Sequence, residues 1–340
     1  MTPQQVDFAS AEEVAPQLWR IETPHGNPFI KSVNAYVIET GSELFLVDSG
    51  INNDQSWEIL TAALTGLGFD PSGVRRIVLT HFHPDHAGLA LRFQQLHSSE
   101  VSMHEQDVEY AAWRWSDSDD GGRQQHAWLV RYGFPFDEAE HVATLPGEPR
   151  IPAVIEPDIR FAGGEVLEMG RYRFEVLWTP GHTPGHVSFY DPVQQVLMCG
   201  DHVLQNVAPN VGLRPDGSND NLLPGYLASL RQLAEMPVKL ALPGHGKLPS
   251  FSDRVHELIQ HQMDRRERAQ ALMTSTLRTP YQLAPLVWNE DGKSWAGFAP
   301  RVRRNAVATL AAHLELLADD GLIAREAADT VSFASKRHRA

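Results

Sequence analysis

The chain has 340 residues, of which 42% are hydrophobic and 21% charged, and its formal net charge is -14. This length allows one large domain or two unequal ones, and the composition is that of a globular protein rather than a disordered one. No apolar stretch is long enough to span a bilayer, no secretory signal is visible, and the single cysteine, Cys199, cannot form an internal disulfide. We therefore expect a cytoplasmic protein that does not bind membranes.

The first part of the chain alternates strand-like and helical patterns. Strand-like runs are "QLWRIETP", "NAYVIET", "LFLVDSG", "RRIVLT" and "EVSMH". Helical periodicity is present in "SWEILTAALTGLGF" and in "AGLALRFQQLH". This alternation predicts an α/β domain built of packed layers.

Residues 105–147 have a different character and read as a helical insert. The insert carries the polar run "SDSDDGG" and a set of aromatic side chains: Tyr110, Trp113, Trp115, Trp128, Tyr132, Phe134 and Phe136. Two interpretations stay open. The aromatic side chains either pack the insert against the rest of the protein or line a substrate site beneath a lid.

Strands resume with "YRFEVLWTP", "VSFYD" and "QQVLMCGD", followed by a helix in "YLASLRQLAEM" and a strand in "VKLALPGHG". From residue 251 the pattern predicts three helices and then two short strands, which is the order of a winged helix. We therefore predict a catalytic domain over 1–250 and a winged-helix domain over 251–340. From His261 onward there are 12 Lys/Arg and 9 Asp/Glu, a net charge of 12 − 9 = +3, so the preceding residues carry -17.

The stretch "THFHPDH" concentrates His81, His83, Asp85 and His86 directly after an apolar run. At the end of an extended strand, positions i and i+2 share a face, so the first two histidines can converge. A turn at Pro84 then redirects the other two side chains to a second point nearby. Neutral imidazole and carboxylate are ligands that zinc and similar ions favour, and a bound cation selects the unprotonated rings.

Three further candidate ligands follow predicted strands in the same way. They are His182 in "LWTPGHTPGH", Asp201 in "LMCGD" and His245 in "LALPGHG". Strand ends at one edge of a layered sheet can meet in a common crevice. The seven residues together predict a site for two metal ions.

These residues also carry a resemblance to a known family. "THFHPDHAG" resembles the HxHxDH signature of the metallo-β-lactamase superfamily, and the later His, Asp and His match its remaining ligands in chain order over residues 15–250. The resemblance implies a four-layer αβ/βα sandwich. It implies that His81, His83 and His182 hold one metal. Asp85, His86 and His245 would hold a second, Asp201 would bridge both, and Asp48 would support the ligands.

The expected activity is hydrolysis of a small-molecule ester, thioester or lactone. Two metal ions can share a hydroxide that attacks a carbonyl, and one of them can polarise the carbonyl oxygen. Asp201 and Asp85 are the expected catalytic residues, with Asp85 as a candidate proton donor to the leaving group. Zinc is the preferred metal, and iron and manganese stay alternatives. His104, His186 and His202 receive no assigned role.

Three other functions stay open. The C-terminal segment resembles the winged helix of lactamase-beta-2-like hydrolases, some of which cleave single-stranded RNA. Six of its arginines lie on its predicted first and third helices: Arg265, Arg266, Arg268, Arg301, Arg303 and Arg304. A net charge of +3 is weak for nucleic-acid binding. We prefer to interpret these arginines as solvated or as salt bridges of a homodimer. Iron-dependent non-hydrolytic chemistry and DNA-binding regulation are the remaining alternatives.

Overall fold

The structure is a computed structural model and describes residues 11–25, 30–41, 43–114, 120–145, 155–216, 218, 220–288 and 294–336. The chain forms two compact units. The first, here called the sandwich unit, comprises Met1–Ala112, Glu148–Pro209 and Gln232–Arg254. The second, here called the helical unit, comprises Trp113–Gly147, Asn210–Arg231 and Val255–Ala340. The predicted domain boundary at residue 250 and the lid role of residues 105–147 stay predictions.

The larger sheet of the sandwich unit has seven strands in sequential order. They are β1 (Ala11–Ala15), β2 (Leu18–Pro24), β3 (Ser32–Glu39), β4 (Leu44–Val47), β5 (Val74–Val78), β6 (Glu100–His104) and β7 (Ile159–Phe161). Strands β1 to β4 pair antiparallel, whereas β4 to β7 pair parallel. Because β4 and β5 run in the same direction, the residues that follow them emerge at the same edge of the sheet.

The smaller sheet has five strands in the order β12-β11-β10-β9-β8. They are β8 (Val166–Met169), β9 (Tyr172–Trp178), β10 (Val187–Asp191), β11 (Val196–Gly200) and β12 (Leu240–Pro243). Only β11 and β12 pair parallel among these strands. Strand β9 is antiparallel to β10, which is itself antiparallel to β11. Strands β9, β11 and β12 therefore all end at one edge of this sheet.

The two sheets share one apolar core. Both contribute to a single buried cluster that includes Ile38 and Val78 from the larger sheet and Phe174 and Phe189 from the smaller one. Burying apolar side chains between two sheet faces is the main stabilisation of such a layered unit. The predicted α/β class with packed sheets is confirmed.

Short helices connect the strands of the larger sheet. They are α1 (Asp54–Gly66), α2 (Pro84–Ala87), α3 (Ala90–His97) and α4 (Glu105–Arg114). The side chain of Asn53 caps α1 by accepting a hydrogen bond from the backbone N–H of Ser56 at 2.8 Å. Helix α1 packs on β1 and β2, and α3 packs on β5 and β6. Helix α2 is a single turn that begins at Pro84, a residue suited to the first helical position because its φ is already helical.

The helical unit combines the insert with the C-terminal segment. It contains all or most of α5 (Asp120–Arg131), α6 (Phe136–Thr144), α7 (Leu223–Ala234), α8 (Phe251–Ala271), α9 (Pro280–Trp288) and α10 (Pro300–Asp319), followed by the antiparallel hairpin of β13 (Ile323–Ala327) and β14 (Val331–Ser335). Three helices and a hairpin after residue 250 were predicted and are present. Their identity as a winged helix stays a prediction.

The aromatic side chains of the insert have different environments. Trp128, Tyr132 and Phe134 are buried core residues, and the ring of Phe134 lies 4.6 Å from that of Tyr281 on α9. Phe136 is 63% exposed. Trp115 lies outside the described residues. Packing within the helical unit thus accounts for three of these aromatic residues.

No helix in the described ranges has both the length and the apolar character needed to cross a bilayer.

Candidate metal centre

All seven predicted ligands lie in the sandwich unit, where the ends of four strands bring them together. His81 and His83 follow β5, and Asp85 and His86 form part of α2. The other three follow strands of the smaller sheet: His182 after β9, Asp201 after β11 and His245 after β12. Their side chains fall into three overlapping groups whose potential ligand atoms lie within 4.8 Å of one another. The structure therefore brings together all seven residues that the sequence singles out, and their role as metal ligands stays a prediction.

The first group consists of His81, His83 and His182. The Nε2 atom of His81 lies 3.0 Å from Nδ1 of His83, and Nε2 of His182 lies 2.9 Å from the same Nδ1. Three ring nitrogens thus face one small volume. Three histidine nitrogens are a common protein ligand set for zinc, which leaves a further position open.

The second group consists of Asp85, His86 and His245. The Nε2 atoms of His86 and His245 lie 3.4 Å apart, and Oδ2 of Asp85 lies 3.5 Å from the first and 3.4 Å from the second. Two nitrogens and a carboxylate oxygen again converge on one point. This set is compatible with zinc, iron or manganese.

Asp201 contacts both groups. Its Oδ1 lies 3.5 Å from Nε2 of His86, and its Oδ2 lies 3.3 Å from Nε2 of His245 and 3.6 Å from Nε2 of His182. One carboxylate therefore adjoins ligand atoms of both groups, which is the position that a bridging ligand requires.

Hydrogen bonds behind the ligands fix which ring nitrogen carries the proton. Asp48 accepts hydrogen bonds from the backbone N–H and the hydroxyl of Thr80, each at 2.8 Å, and lies 2.8 Å from Nδ1 of His86. The Thr80 oxygen in turn lies 3.0 Å from Nδ1 of His81. Because Asp48 and Thr80 accept hydrogen bonds from the two Nδ1 atoms, the Nε2 lone pairs point into the site. Asp48 thus contacts a candidate ligand and the residue behind another, where the family resemblance implies a supporting residue.

His245 is oriented in the same way by the main chain. Its Nδ1 lies 2.8 Å from the carbonyl oxygen of Ser32, which can only accept a hydrogen bond. The Nε2 lone pairs of His245 and His86 then face each other. Two facing lone pairs repel unless protons or a metal ion occupy them, so the donor set can hold a metal ion in place of protons.

The charges of the two groups differ in the protein without metal. Burial, reinforced by the neighbouring His83, lowers the pKa of His182 to about 3, so this ring is neutral and ready to bind a metal. Burial also opposes protonation of His245, but Asp201 and Asp85 outweigh it and raise the pKa of His245 to about 10. Burial likewise disfavours the Asp201 anion, but His245 and His86 hold the pKa of Asp201 well below its usual value. A metal ion held by the second group would therefore displace protons.

The three histidines without a predicted role lie around the centre at different depths. His186 lies directly behind it, because its Nε2 accepts a hydrogen bond of 3.1 Å from the backbone N–H of Asp201. The ring of His202 lies 5.6 Å from that of His186. His104 stacks on Trp178 at 5.6 Å and is buried. Among these three, His186 has the most direct effect on the geometry of a proposed ligand.

The single cysteine plays no part in the site. Cys199 is fully buried, and its Sγ lies 3.5 Å from the carbonyl oxygen of Val203 and 3.7 Å from that of Leu242. Burial also raises the pKa of this thiol well above its usual value, so it is not a nucleophile near neutral pH. The expectation that its side chain points into the core is confirmed.

Sequence reasoning missed His25, which lies between β2 and β3. Its Nε2 lies 3.2 Å from Oδ2 of Asp85, its ring centroid lies 5.8 Å from that of His245, and its side chain is 20% exposed. No motif surrounds this residue. The only sequence signal is a histidine directly after a predicted strand, a signal that many structural histidines share.

Sequence reasoning also missed Asp107, a fully buried residue in the first turn of α4. Its carboxylate accepts hydrogen bonds from the backbone N–H of Phe82, the hydroxyl of Thr183 and the backbone N–H of Gly185, at 3.0, 2.8 and 2.6 Å. An aspartate near a helix N-terminus is ordinary, so nothing local distinguishes it.

Comparisons with known proteins agree with this geometry. A family model for the metallo-beta-lactamase superfamily matches residues 30–245. A metallo-beta-lactamase family protein of known structure from Thermus thermophilus matches 95% of this chain and 99% of its own, with a TM-score of 0.76 and 30% identity. Hydroxyacylglutathione hydrolase GloC of Haemophilus influenzae is 29% identical over 50% of this chain and 68% of its own length. Atrochrysone carboxyl ACP thioesterase of Aspergillus fumigatus is 23% identical over 77% of this chain and 65% of its own length.

Proposed function

Because this chain belongs to the metallo-beta-lactamase superfamily, and one of its relatives is named a probable metallo-hydrolase, we propose that it is a binuclear, zinc-dependent hydrolase of small acyl thioesters. Esters and lactones are the related substrates. The observation that carries the proposal is the position of Asp201 between two groups of potential ligands, each with enough donors for one ion.

The chemistry of the donors supports two ions rather than one. The first group takes its three nitrogens from His81, His83 and His182, so Asp85, His86 and His245 stay available for a second ion. When bound, a pair of divalent ions lowers the pKa of water and polarises a carbonyl oxygen. Nitrogen and oxygen donors of this kind suit zinc, although they do not discriminate strongly against iron or manganese.

The residues of the chain then have separate tasks. Asp48 and the Ser32 carbonyl hold His86 and His245 in the tautomers that expose Nε2. Asp85 is the residue that we expect to accept a proton from the attacking water and to pass it to the departing thiolate. His25 lies against the same Asp85 oxygen and is partly exposed, so it provides a polar contact between that carboxylate and the surface.

The choice of a thioester follows from the similar proteins. One is named as a thioesterase and another as a hydrolase of hydroxyacylglutathione. A thiolate is a better leaving group than an alkoxide, so a weak proton donor such as Asp85 is enough to assist its departure. The carbonyl carbon of a thioester is also a suitable electrophile for an activated water.

A nuclease function has less support from the helical unit. The Arg265 guanidinium lies 5.8 Å from the centroid of the Trp288 ring, and Arg303 forms a salt bridge of 2.9 Å with Glu138. Two of the arginines on which the alternative rests therefore have partners within the protein. We do not propose ribonuclease activity, and the test of function includes an RNA substrate.

The experiment measures metal content and hydrolysis together. Purified protein is reconstituted with zinc, iron or manganese, its metal content is determined, and it is assayed with acyl thioesters, aryl esters, lactones and single-stranded RNA. The Asp85→Ala, His86→Ala double variant should lose activity, whereas the matched Asp253→Ala, His256→Ala pair on the exposed surface of α8 should retain it. One ion per chain in the wild-type protein, or no thioester hydrolysis above that of the double variant, would overturn the proposal.

A further inference from the structure

Asp107 links two separate loops that carry the three-histidine group. Phe82, whose N–H donates to Asp107, stands between His81 and His83 in the chain. Thr183 and Gly185, which donate to the same carboxylate, closely follow His182. One buried side chain on α4 is therefore hydrogen-bonded to both backbone segments from which the first group of ligands projects.

The loop that follows His182 fits closely around Asp107. A Cβ atom at Gly185 would lie 2.4 Å from the backbone nitrogen of Asp107 and 2.8 Å from its Oδ1. Any larger residue at this position would push the loop away from α4. The absence of a side chain at Gly185 thus allows the short contact between the loop and the carboxylate.

The carboxylate is suited to this task because it only accepts hydrogen bonds. These three partners are all donors, and a buried anion is tolerated when several donors compensate it. An amide of the same shape would present an N–H₂ group to at least one of these donors. The position therefore requires Asp rather than Asn for a chemical reason, although the two side chains have nearly the same size.

We infer that Asp107 is a positioning residue that fixes the distance between the His81–His83 segment and His182, and so determines the affinity of the first metal site. It acts through the backbone of the two loops, not on the ligand nitrogens or on a reacting atom. The inference rests on the proposed function, because it assumes that the three histidines bind a metal ion.

Asp191 provides a matched control within the same unit. It is 1% exposed and its carboxylate accepts three hydrogen bonds of 2.8 Å from backbone N–H groups, those of Arg173, Val193 and Gln194. It lies at the far end of β10, away from the candidate ligands. An Asp191→Asn substitution should thus lower stability for a similar reason without changing the metal site.

The first experiment titrates zinc into metal-free protein against a competing chromophoric chelator. The wild-type protein should bind two zinc ions with two different affinities. The His182→Ala variant shows how the titration changes when the first site is damaged, and His245→Ala shows the same for the second site. Asp107→Asn should lower the affinity for one of the two zinc ions by about 10- to 100-fold. Its titration curve should resemble that of His182→Ala. Asp191→Asn should match the wild-type titration even if its Tm falls. Equal metal binding by Asp107→Asn and the wild type, or equal weakening by both Asn variants, would overturn the inference.

A milder pair of variants covers the case in which Asp107→Asn does not fold. Thr183→Val removes one hydrogen bond to Asp107, and Thr183→Ser keeps it. The valine variant should bind the same zinc ion more weakly, and the serine variant should bind it with the wild-type affinity. Similar affinities for the two would contradict a role of this contact.

Hydrogen exchange of the metal-free protein separates this inference from the proposed function. Asp107→Asn should speed amide exchange in at least one of the peptides covering 79–83 and 181–186, because the N–H groups of Phe82 and Gly185 bond different carboxylate oxygens and an amide keeps only one of the two. Asp191→Asn should leave these peptides unchanged. If the wild-type protein binds fewer than two ions, the proposed function fails, and exchange in these two loops still decides whether Asp107 holds them together.

Discussion

The Nε2 atoms of His86 and His245 lie 3.4 Å apart, and the Nδ1 atom of each ring already has a partner, Asp48 for the first and the Ser32 carbonyl for the second. Each ring can therefore satisfy its second nitrogen only within the site. Without a metal, Asp85 and Asp201 compensate by favouring protonated rings, which raises the pKa of both histidines. With a metal ion bound as proposed, the same nitrogens would become ligands, so the site would exchange protons for a cation.

Removal of metal should therefore destabilise the protein. A ligand that binds only the folded state at 100 times its dissociation constant adds about 2.7 kcal/mol to the free energy of unfolding. We expect EDTA to abolish hydrolysis and to lower Tm, and added zinc to restore both. Differential scanning fluorimetry with and without EDTA measures the change. The His86→Ala, His245→Ala variant is the control, and a shift in Tm equal to that of the wild type would contradict assignment of the ion to this site.

Substitution of Gly244 should damage the second site directly. A Cβ atom there would lie 2.3 Å from Oδ1 of Asp201 and 2.6 Å from Cε1 of His86. Gly244→Ala should lower affinity for the second ion and hydrolysis by about 10- to 100-fold. Gly246→Ala is the matched control, since open space surrounds that position and only its φ of +63° disfavours a side chain. Metal titration and steady-state kinetics of both variants test this expectation, which fails if both behave alike.

Asn34 should support the loop that carries His245. Its Nδ2 donates hydrogen bonds to the carbonyl oxygens of Pro243 and Gly246, both at 2.8 Å, and its backbone N–H donates to the carbonyl oxygen of Gly244. Asn34→Ala removes one of the donors to each of these two carbonyls, so we expect a loss of about 1–3 kcal/mol in the free energy of unfolding and weaker binding of the second ion.

Tyr36 is the control for Asn34. Its hydroxyl donates to the carbonyl oxygen of Pro243 at 2.6 Å and does not reach that of Gly246, so Tyr36→Phe should cost less stability and preserve metal affinity. Urea unfolding and zinc titration of both variants distinguish the two cases. A larger loss of zinc affinity in Tyr36→Phe than in Asn34→Ala would show that Asn34 is not the main support of the loop that carries His245.

His313 should make stability depend on pH. It is 1% exposed in the helical unit, and burial, reinforced by Arg265 and Arg266, lowers its pKa to about 3. The unfolded chain binds a proton at this ring near the usual pKa of 6.5, whereas the folded chain does not. Between pH 6.5 and about 3 the unfolded state therefore binds more protons, and stability falls as pH falls.

We expect this histidine to contribute a loss of about 1–2 kcal/mol between about pH 6.5 and 5. Urea unfolding at several pH values should show a flatter dependence for His313→Gln than for the wild type. His141→Gln, at an exposed position of α6, should keep the wild-type slope. Parallel curves for His313→Gln and the wild type would refute the assignment.

Much of the fold follows from local patterns. The alternation of "NAYVIET", "LFLVDSG" and "RRIVLT" matches β3, β4 and β5, and the period of "SWEILTAALTGLGF" matches α1. Strands β1, β7 and β8 were not predicted. β7 is only three residues long, and two of the four residues of β8 are exposed, so neither carries a strong apolar signal. The grouping of the insert with the C-terminal segment has no local signal at all.

The sequence by itself determined the type of chemistry at the site and the residues that could take part. Histidines two positions apart at a strand end must share a face, and this constraint acts within a few residues. Only the tertiary structure decided which distant residues hold those ligands in place. Asp107 is 25 residues from Phe82 and 76 from Thr183, and it meets both because the order and direction of the strands bring their loops to one edge. Contacts over such separations depend on strand pairing throughout the sandwich unit, and no short stretch of sequence records them.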